Sequence, residues 1–144
     1  MSKVNTFETD WLELVFNNTA LANIGDSGGL RAASTAGSLY VALYTVSPTE
    51  NTTGTECSYT SYDRVAVARS GAGWTVSGDT ADNTSAIQFP QATGGSETAV
   101  AVGINAMDYP SDTLLYYGAL DSNISISAGV QPEFQAGDLD VTES

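Results

Sequence analysis

The residues best able to do chemistry in this chain are its carboxylates, because Asp and Glu number 17 and histidine is absent. Two carboxylates could serve a glycosidase as acid and base or as acid and nucleophile. Most of the aspartates lie in segments of turn composition, where an Asp side chain ordinarily bonds the backbone two residues on. They include Asp79, Asp82, Asp108, Asp112, Asp138 and Asp140. Without histidine, a Ser-His-Asp or Cys-His arrangement is impossible. We therefore predict that the protein is not an enzyme.

The same oxygen-rich segments raise the question of a metal. "SGDTADN" (residues 77–83) and "AGDLD" (136–140) offer the oxygen ligands that calcium prefers, but neither has the D-x-D-x-D-G order with a later Glu. Zinc is excluded in practice, because one cysteine and no histidine cannot supply its ligands. Cys57 has no histidine and no nearby cation to activate it, so we expect a structural residue. We expect no metal and no cofactor.

Aromatic side chains could instead form a stacking platform for sugars. Aromatic residues on strands more often pack in the core or against a neighbouring strand. We therefore expect core positions for three of them, which are Trp74, Tyr116 and Tyr117. The loop-like positions of three others leave both readings open, and these are Tyr59, Tyr62 and Tyr109.

A polar stretch follows the most hydrophobic run of the chain. In "SLYVALYTVSPTENTTGTECSY", residues 38–59, a strand-like run ends in Thr, Ser, Asn, Gly and Glu. That tail could be a ligand-binding loop, a disordered linker or a surface connection. Strand-like sequence resumes at once in "SYDRVAVA", and the chain offers the loop no catalytic or phosphate-binding partner. We therefore expect a connection on the outer surface.

The charge balance limits the possible partners. The chain carries a net charge of −13, with 17 acidic residues against Lys3, Arg31, Arg64 and Arg69. Nucleic acids are bound through clustered Lys and Arg, so we expect no nucleic-acid partner. Anionic membrane surfaces are disfavoured for the same reason. No run approaches the roughly 18 apolar residues of a membrane span, and no signal-peptide pattern is visible, so we expect a protein made in a cytoplasm.

The elements that position these residues begin with a helix. Apolar residues recur at i, i+4, i+7 and i+8, which defines one face of a 3.6-residue period: Phe7, Trp11, Leu14 and Val15. Glu8 is expected to lie off this face, and Asn5 or Thr6 is expected to cap the helix.

Everything after Ser38 has the composition of short strands separated by turn residues. Both faces of residues 39–46 are partly apolar, as in a strand inside a sandwich. Further candidate strands are 62–68, 73–77, 85–89, 98–105, 113–119, 123–126 and 139–142. The pattern predicts a mainly β fold, an antiparallel β-sandwich of jelly-roll-like type with one short N-terminal α-helix. We divide the chain into an arm, helix and loop at 1–37 and a β-sandwich domain at 38–144.

Several stretches occur together in an order that resembles a known family. In chain order they are "WLELVF", "LYVALYTVSPTENTTGTE", "YDRVAVA", "GAGW", "NTSAIQFPQATGG", "VAVGINAM", "LLYYGAL" and "ISAGVQPEFQAGDLDVT". This ordered set resembles the small virion structural proteins of tailed bacteriophages, of capsid-decoration or tail-fibre-like kind. The similarity covers residues 39–142, most of the chain, and no single motif in it is diagnostic.

The resemblance implies a jelly-roll-like sandwich, found in virion appendages or in trimeric knobs that cement the outer capsid surface. The loop at residues 23–37 is longer than the family pattern, and no fibre shaft or receptor-binding tip is visible, which favours a stand-alone decoration protein. A charge of −13 suits an outer face better than one against packaged DNA. We therefore expect a capsid decoration or cement protein that stabilises the major capsid shell and is made in the host bacterial cytoplasm. The alternative is a tail fibre, appendage or carbohydrate-binding module of the phage tail.

The expected partners are the major capsid protein and further copies of the chain. A homotrimer would suit the local three-fold positions of a capsid. A scarce cation in an acidic chain can anchor a partner's carboxylate, although a solvated surface arginine is an equally good reading of Arg31. The residues expected at subunit or partner contacts are Phe7, Trp11, Leu14, Val15 and Arg31.

Overall fold

The computed structural model describes residues 1–22, 24–25 and 28–144. Helix α1 spans Asn5–Asn17. The strands of the described chain are β1 (Ser38–Val46), β2 (Thr55–Glu56), β3 (Val65–Ala68), β4 (Trp74–Ser77), β5 (Thr80–Asn83), β6 (Ile87–Gln88), β7 (Ser96–Asn105), β8 (Leu114–Ser127), β9 (Glu133–Phe134) and β10 (Asp140–Thr142). Among the described residues, no helix is long and apolar enough to cross a membrane.

The chain forms two compact units, each assembled from segments that are distant in the sequence. The first unit contains Met1–Ser38, Val67–Ala86 and Phe134–Ser144, and the second contains Leu39–Ala66 and Ile87–Glu133. The first unit therefore holds α1 together with β4, β5 and β10. The division at residues 1–37 and 38–144 stays a prediction.

The core of the first unit is built where α1 contacts a three-stranded sheet of order β10-β5-β4. Both strand pairs in this sheet are antiparallel. Trp74 of β4 is fully buried, and its ring meets that of Phe16 edge-on at a centroid distance of 4.8 Å. Edge-to-face contacts of this kind are favourable for aromatic rings, and large aromatic side chains supply much of the apolar area that a core buries.

The buried face of α1 differs from the predicted one. Glu8, Leu12 and Phe16 are buried, whereas the four residues of the predicted face are only half-buried, namely Phe7, Trp11, Leu14 and Val15. Apolar residues cover about half of this helix, so its pattern alone does not fix which row meets the sheet. The sheet selects the row at i, i+4 and i+8, and this places Glu8 inside.

Both ends of α1 are held by groups that the periodicity does not reveal. The N-cap is Val4, without a side-chain hydrogen bond, so the prediction that Asn5 or Thr6 caps the helix was wrong. At the other end, Arg69 donates from Nη2 to the Leu14 carbonyl and from Nε to the Val15 carbonyl, both at 2.7 Å. A guanidinium at this end satisfies unpaired carbonyls and complements the negative pole of the helix dipole.

The second unit is organised by a five-stranded sheet of order β2-β1-β7-β8, with β3 also pairing with β1. The β1–β2, β1–β7 and β7–β8 pairs are antiparallel. Residues 41–44 of β1 are all buried, which confirms that both faces of this strand are covered. Ala42, Tyr44 and Ala101 form a core cluster against which Leu114 packs.

Several segments differ from the predicted strand pattern, and the short strands β2 and β9 were not predicted. "SGDTADN" is not a loop, because Gly78 and Asp79 form a tight turn and β5 follows, with Thr80 paired to Ser77. Gly78 has a φ of +63°, which favours glycine, and the pattern of β5 is concealed by its polar residues. The predicted strands 113–119 and 123–126 are one continuous strand, β8. The chain is otherwise mainly β, antiparallel and preceded by a short helix, which confirms the predicted fold class of an antiparallel β-sandwich type.

Candidate functional site

The aromatic residues are distributed differently from the prediction. Trp74 is buried as expected, but Tyr117 is 43% exposed, so its assignment to the core was wrong. Tyr59 is buried, and its hydroxyl donates to the Pro90 carbonyl at 2.8 Å. Tyr109 is 65% exposed. Tyr109 and Tyr117 are therefore the exposed tyrosine rings among the six aromatic residues considered for sugar stacking.

Arg64 forms the centre of a buried polar cluster in the second unit. Its Nε and Nη2 donate to the two carboxylate oxygens of Glu56 at 2.9 and 2.8 Å. Its Nη1 donates to the carbonyls of Met107 and Ser111 at 2.8 and 3.0 Å. Burial and the hydrogen bond to Glu56 raise the pKa of Tyr62, whose hydroxyl also donates to that carboxylate. This cluster holds the loop between β7 and β8, and its hydrogen-bonding groups are committed to the fold.

Cys57 is buried beside Glu97. Burial, with a further contribution from the Glu97 carboxylate, raises the pKa of the Cys57 thiol to about 12. A thiol with so high a pKa remains protonated near neutral pH and is a poor nucleophile. This environment agrees with the predicted structural role.

Of the four carboxylates in the two loops first considered for calcium, two lie in paired strands and two, Asp79 and Asp138, lie in turns. Asp82 of β5 is directly opposite Asp140 of β10 in the antiparallel ladder. Asp138 accepts a hydrogen bond from the Gln135 backbone N–H at 2.8 Å. In the described part of the chain, no group of three or more His, Cys, Asp or Glu residues is placed to hold a metal ion.

A groove of about 410 Å³ lies in the second unit, between the loop that joins β1 to β2 and the beginning of β8. Small-molecule sites commonly enclose about 300–1,000 Å³. The groove is lined by Thr49, Glu50, Asn51, Thr52, Thr53, Leu114, Leu115 and Tyr117. It is therefore large enough for a small ligand, and its lining is partly polar and partly apolar.

The loop side of the groove has a fixed backbone. The amide of Thr49 donates to the Thr52 carbonyl at 2.9 Å, the reverse bond is 3.2 Å, and the two hydroxyls lie 2.8 Å apart. Pro48, near the start of the loop, is buried. Gly54 closes it with a φ of +69°, and an added Cβ there would lie 2.4 Å from the Val46 carbonyl oxygen. The polar residues are thus presented on a preformed turn.

The groove side chains retain free capacity for contacts. Glu50 and Asn51 are exposed, and neither side chain has a hydrogen bond to another residue in the described ranges. On β8, Leu115 is 46% exposed and Tyr117 is 43% exposed. Glu50 is the single carboxylate among the described lining residues, so the groove does not contain the carboxylate pair of a glycosidase. This arrangement is suited to binding.

A comparison with known families supplies the broader identity. A family model described as Podophage GP4 fiber I protein gp80 matches residues 2–142. The chain belongs to that family. No curated protein matches it. The family is one of phage virion structural proteins, so the resemblance found in the ordered sequence segments is confirmed, and the chain is a phage virion component.

The contact residues predicted for this fibre-family protein lie in its first unit. Phe7, Trp11, Leu14 and Val15 are half-buried on α1, and Arg31 is exposed. The structure thus places apolar surface and a cation on this unit, and their role in subunit contacts stays a prediction.

The groove of the fibre-family protein was missed in the sequence. Its loop was predicted to be outer surface, and that exposure is confirmed, but the ligand-binding alternative was set aside because no catalytic partner was visible. Leu115 and Tyr117 are two residues apart on a strand and therefore share a face. The run "LLYY" at residues 114–117 has no apolar–polar alternation, so the sequence carries no local signal for which of its two faces is exposed.

Proposed function

We propose that this chain is a structural subunit of a phage virion fibre. The observation that carries the proposal is the family match, which extends over residues 2–142 and has a description naming a fibre protein. This description favours the fibre alternative over the capsid decoration protein that we expected first. The net charge of −13 suits a part that faces solvent on the outside of a particle, and both roles share that property.

The proposed subunit contacts are those of the first unit, and the proposed assembly is a homotrimer. Three of the four cations are engaged within the chain: Lys3 with Glu143 at 2.7 Å, Arg64 with Glu56, and Arg69 with the end of α1. For Arg31 the described residues supply no hydrogen bond or ion pair. An exposed guanidinium in an acidic chain is well suited to a carboxylate of a neighbouring subunit.

The copy number of the chain in purified virions tests the fibre proposal. Quantitative mass spectrometry against the major capsid protein should give a few to a few dozen copies per particle, because fibres are few. Hundreds of copies would contradict the proposal and support capsid decoration instead.

Light scattering tests the proposed assembly. The purified chain should have three times the mass of one subunit, and Arg31→Ala should shift it toward the monomer. The matched control is Lys3→Ala, which removes a cation whose partner is Glu143 of the same chain. A monomeric wild-type protein would contradict the trimer.

A further inference from the structure

We propose that the groove between the β1–β2 loop and β8 binds an uncharged saccharide. The groove is defined by its lining residues Thr49, Glu50, Asn51, Thr52, Thr53, Leu114, Leu115 and Tyr117. This activity goes beyond the structural role in a fibre and does not depend on it, since a saccharide site could serve any virion part that meets a cell surface.

The β8 side of the groove supplies an apolar contact. Tyr117 and Leu115 lie two residues apart on β8 and therefore share a face. They are 43% and 46% exposed, so both present apolar surface to the groove. A tyrosine ring offers a flat hydrophobic face with a polar tip. Such a face matches the C–H side of a pyranose ring, which is the apolar side of an otherwise hydroxylated molecule.

The loop side of the groove supplies hydrogen-bonding groups. The carboxylate of Glu50 accepts only, whereas the amide of Asn51 both donates and accepts. The hydroxyls of Thr52 and Thr53 add to this edge. A purely apolar ligand would remove these groups from water without giving them partners, which is costly. The groove therefore favours a ligand with one apolar face and several hydroxyl groups.

The charge of the groove decides between classes of hydroxylated ligand. Glu50 is the charged residue of the described lining, and the whole chain carries −13. Phosphorylated, sulfated and carboxylated sugars would be repelled by this field, and no lining cation is present among these residues to pair with them. An uncharged saccharide avoids this penalty.

The rigidity of the loop favours binding further. The reciprocal backbone bonds between Thr49 and Thr52 hold the turn before a ligand arrives. A preformed site avoids much of the ordering cost that a flexible loop would incur on binding. The side chains of Glu50 and Asn51 are then the main groups to be ordered.

The experiment uses the purified full chain on an array of uncharged and acidic oligosaccharides. We expect at least one uncharged oligosaccharide to bind and the acidic ones to bind more weakly. The best binder is then titrated by NMR, and the amides of residues 49–53 and 115–117 should shift most. This mapping is done on the wild-type chain and needs no variant to fold.

Variants test the same site. Tyr117→Ala should lower the affinity by about tenfold or more, and Glu50→Gln by about fivefold. The matched control is Tyr109→Ala, which removes an exposed tyrosine that does not line the groove. The proposal is overturned if no uncharged saccharide binds, if acidic ones bind best, if the shifted amides lie elsewhere, or if folded Tyr117→Ala binds as well as Tyr109→Ala. Each of these results leaves the fibre proposal standing, because the copy number of the chain tests that separately.

Discussion

Two glutamates near each other in the sequence have opposite roles, Glu50 in the loop between β1 and β2 and Glu56 in β2. Both carboxylate oxygens of Glu56 accept hydrogen bonds, from Arg64 and Tyr62, inside the second unit. Glu50 is exposed on the rim of the groove, and no described residue donates to its carboxylate. A polar residue whose capacity is used within the fold has a structural role, while one whose capacity is left over on a rigid turn is available to a ligand.

Removal of Arg64 should have the largest effect on stability. Arg64→Ala removes the donor of the Met107 and Ser111 carbonyls and leaves Glu56 only the hydrogen bond from Tyr62. Breaking one side of a buried ion pair costs about 3–5 kcal/mol. Urea unfolding should show this loss in the free energy of unfolding, whereas Lys3→Ala, which breaks the more exposed ion pair with Glu143, should cost no more than about 1 kcal/mol under the same conditions. A loss below about 1 kcal/mol is typical of an exposed ion pair. Such a result would contradict the structural role of the Arg64 cluster.

Removal of Asn83 tests the same distinction in the first unit. Its Nδ2 donates to the Ser85 and Gln135 carbonyls at 2.8 and 2.7 Å, and its Oδ1 accepts from the Leu139 amide at 2.9 Å. Asn83→Ala should cost about 2–3 kcal/mol, because it leaves buried groups unpaired. Thermal melting checks this, with exposed Asn51→Ala as the control. Equal melting temperatures for the two variants would contradict the distinction.

Alkaline pH should destabilise the second unit through its buried acids. Burial and the nearby Glu97 raise the pKa of Cys57 from 9.0 to about 12. Since the folded pKa lies above the unfolded one, this stabilisation is fully present below pH 9 and is lost as the pH rises toward 12. Tyr59, whose pKa burial raises from 10.0 to about 12, acts in the same direction.

The measurement is the free energy of unfolding of the wild-type chain and of Cys57→Ala at a series of pH values. The variant should lose less stability than the wild type between pH 9 and 12. Parallel curves for the two proteins would show that the thiol is not held protonated by the fold.

Changes on the groove rim should have the smallest effect on the fold. Glu50→Gln alters an exposed side chain and should change the free energy of unfolding by no more than about 0.5 kcal/mol. Thermal melting of this variant beside Asn83→Ala provides the check. If Glu50→Gln melts as low as Asn83→Ala, the Glu50 carboxylate belongs to the fold.

The sequence predicted the positions of the helix and strands better than it predicted which elements pack against each other. The 3.6-residue period located α1, and the dense apolar run located β1, because both signals are local. The buried row of α1, which includes Glu8, depends on the sheet that it meets. Strand β5 escaped prediction because "TADN" is polar, and its residues are strand only because β4 and β10 lie on either side of it.

The groove depends even more on the pairing of strands that are far apart in the sequence. Its polar side follows β1 and its apolar side begins β8, and the two come together through the order β1-β7-β8 in the sheet. A tyrosine in a strand is ordinarily a packing residue, so Tyr117 could not be separated from Tyr116 without knowing which face of β8 is covered. The structural role of Cys57 was easier to predict, because the absence of histidine as an activating group was visible in the composition.

The most direct test of the virion fibre assignment is electron microscopy of intact virions labelled with gold-conjugated antibodies against this chain. The fibre proposal predicts label on the fibres and a bare capsid shell. Label distributed evenly over the capsid shell would contradict it and return the chain to capsid decoration.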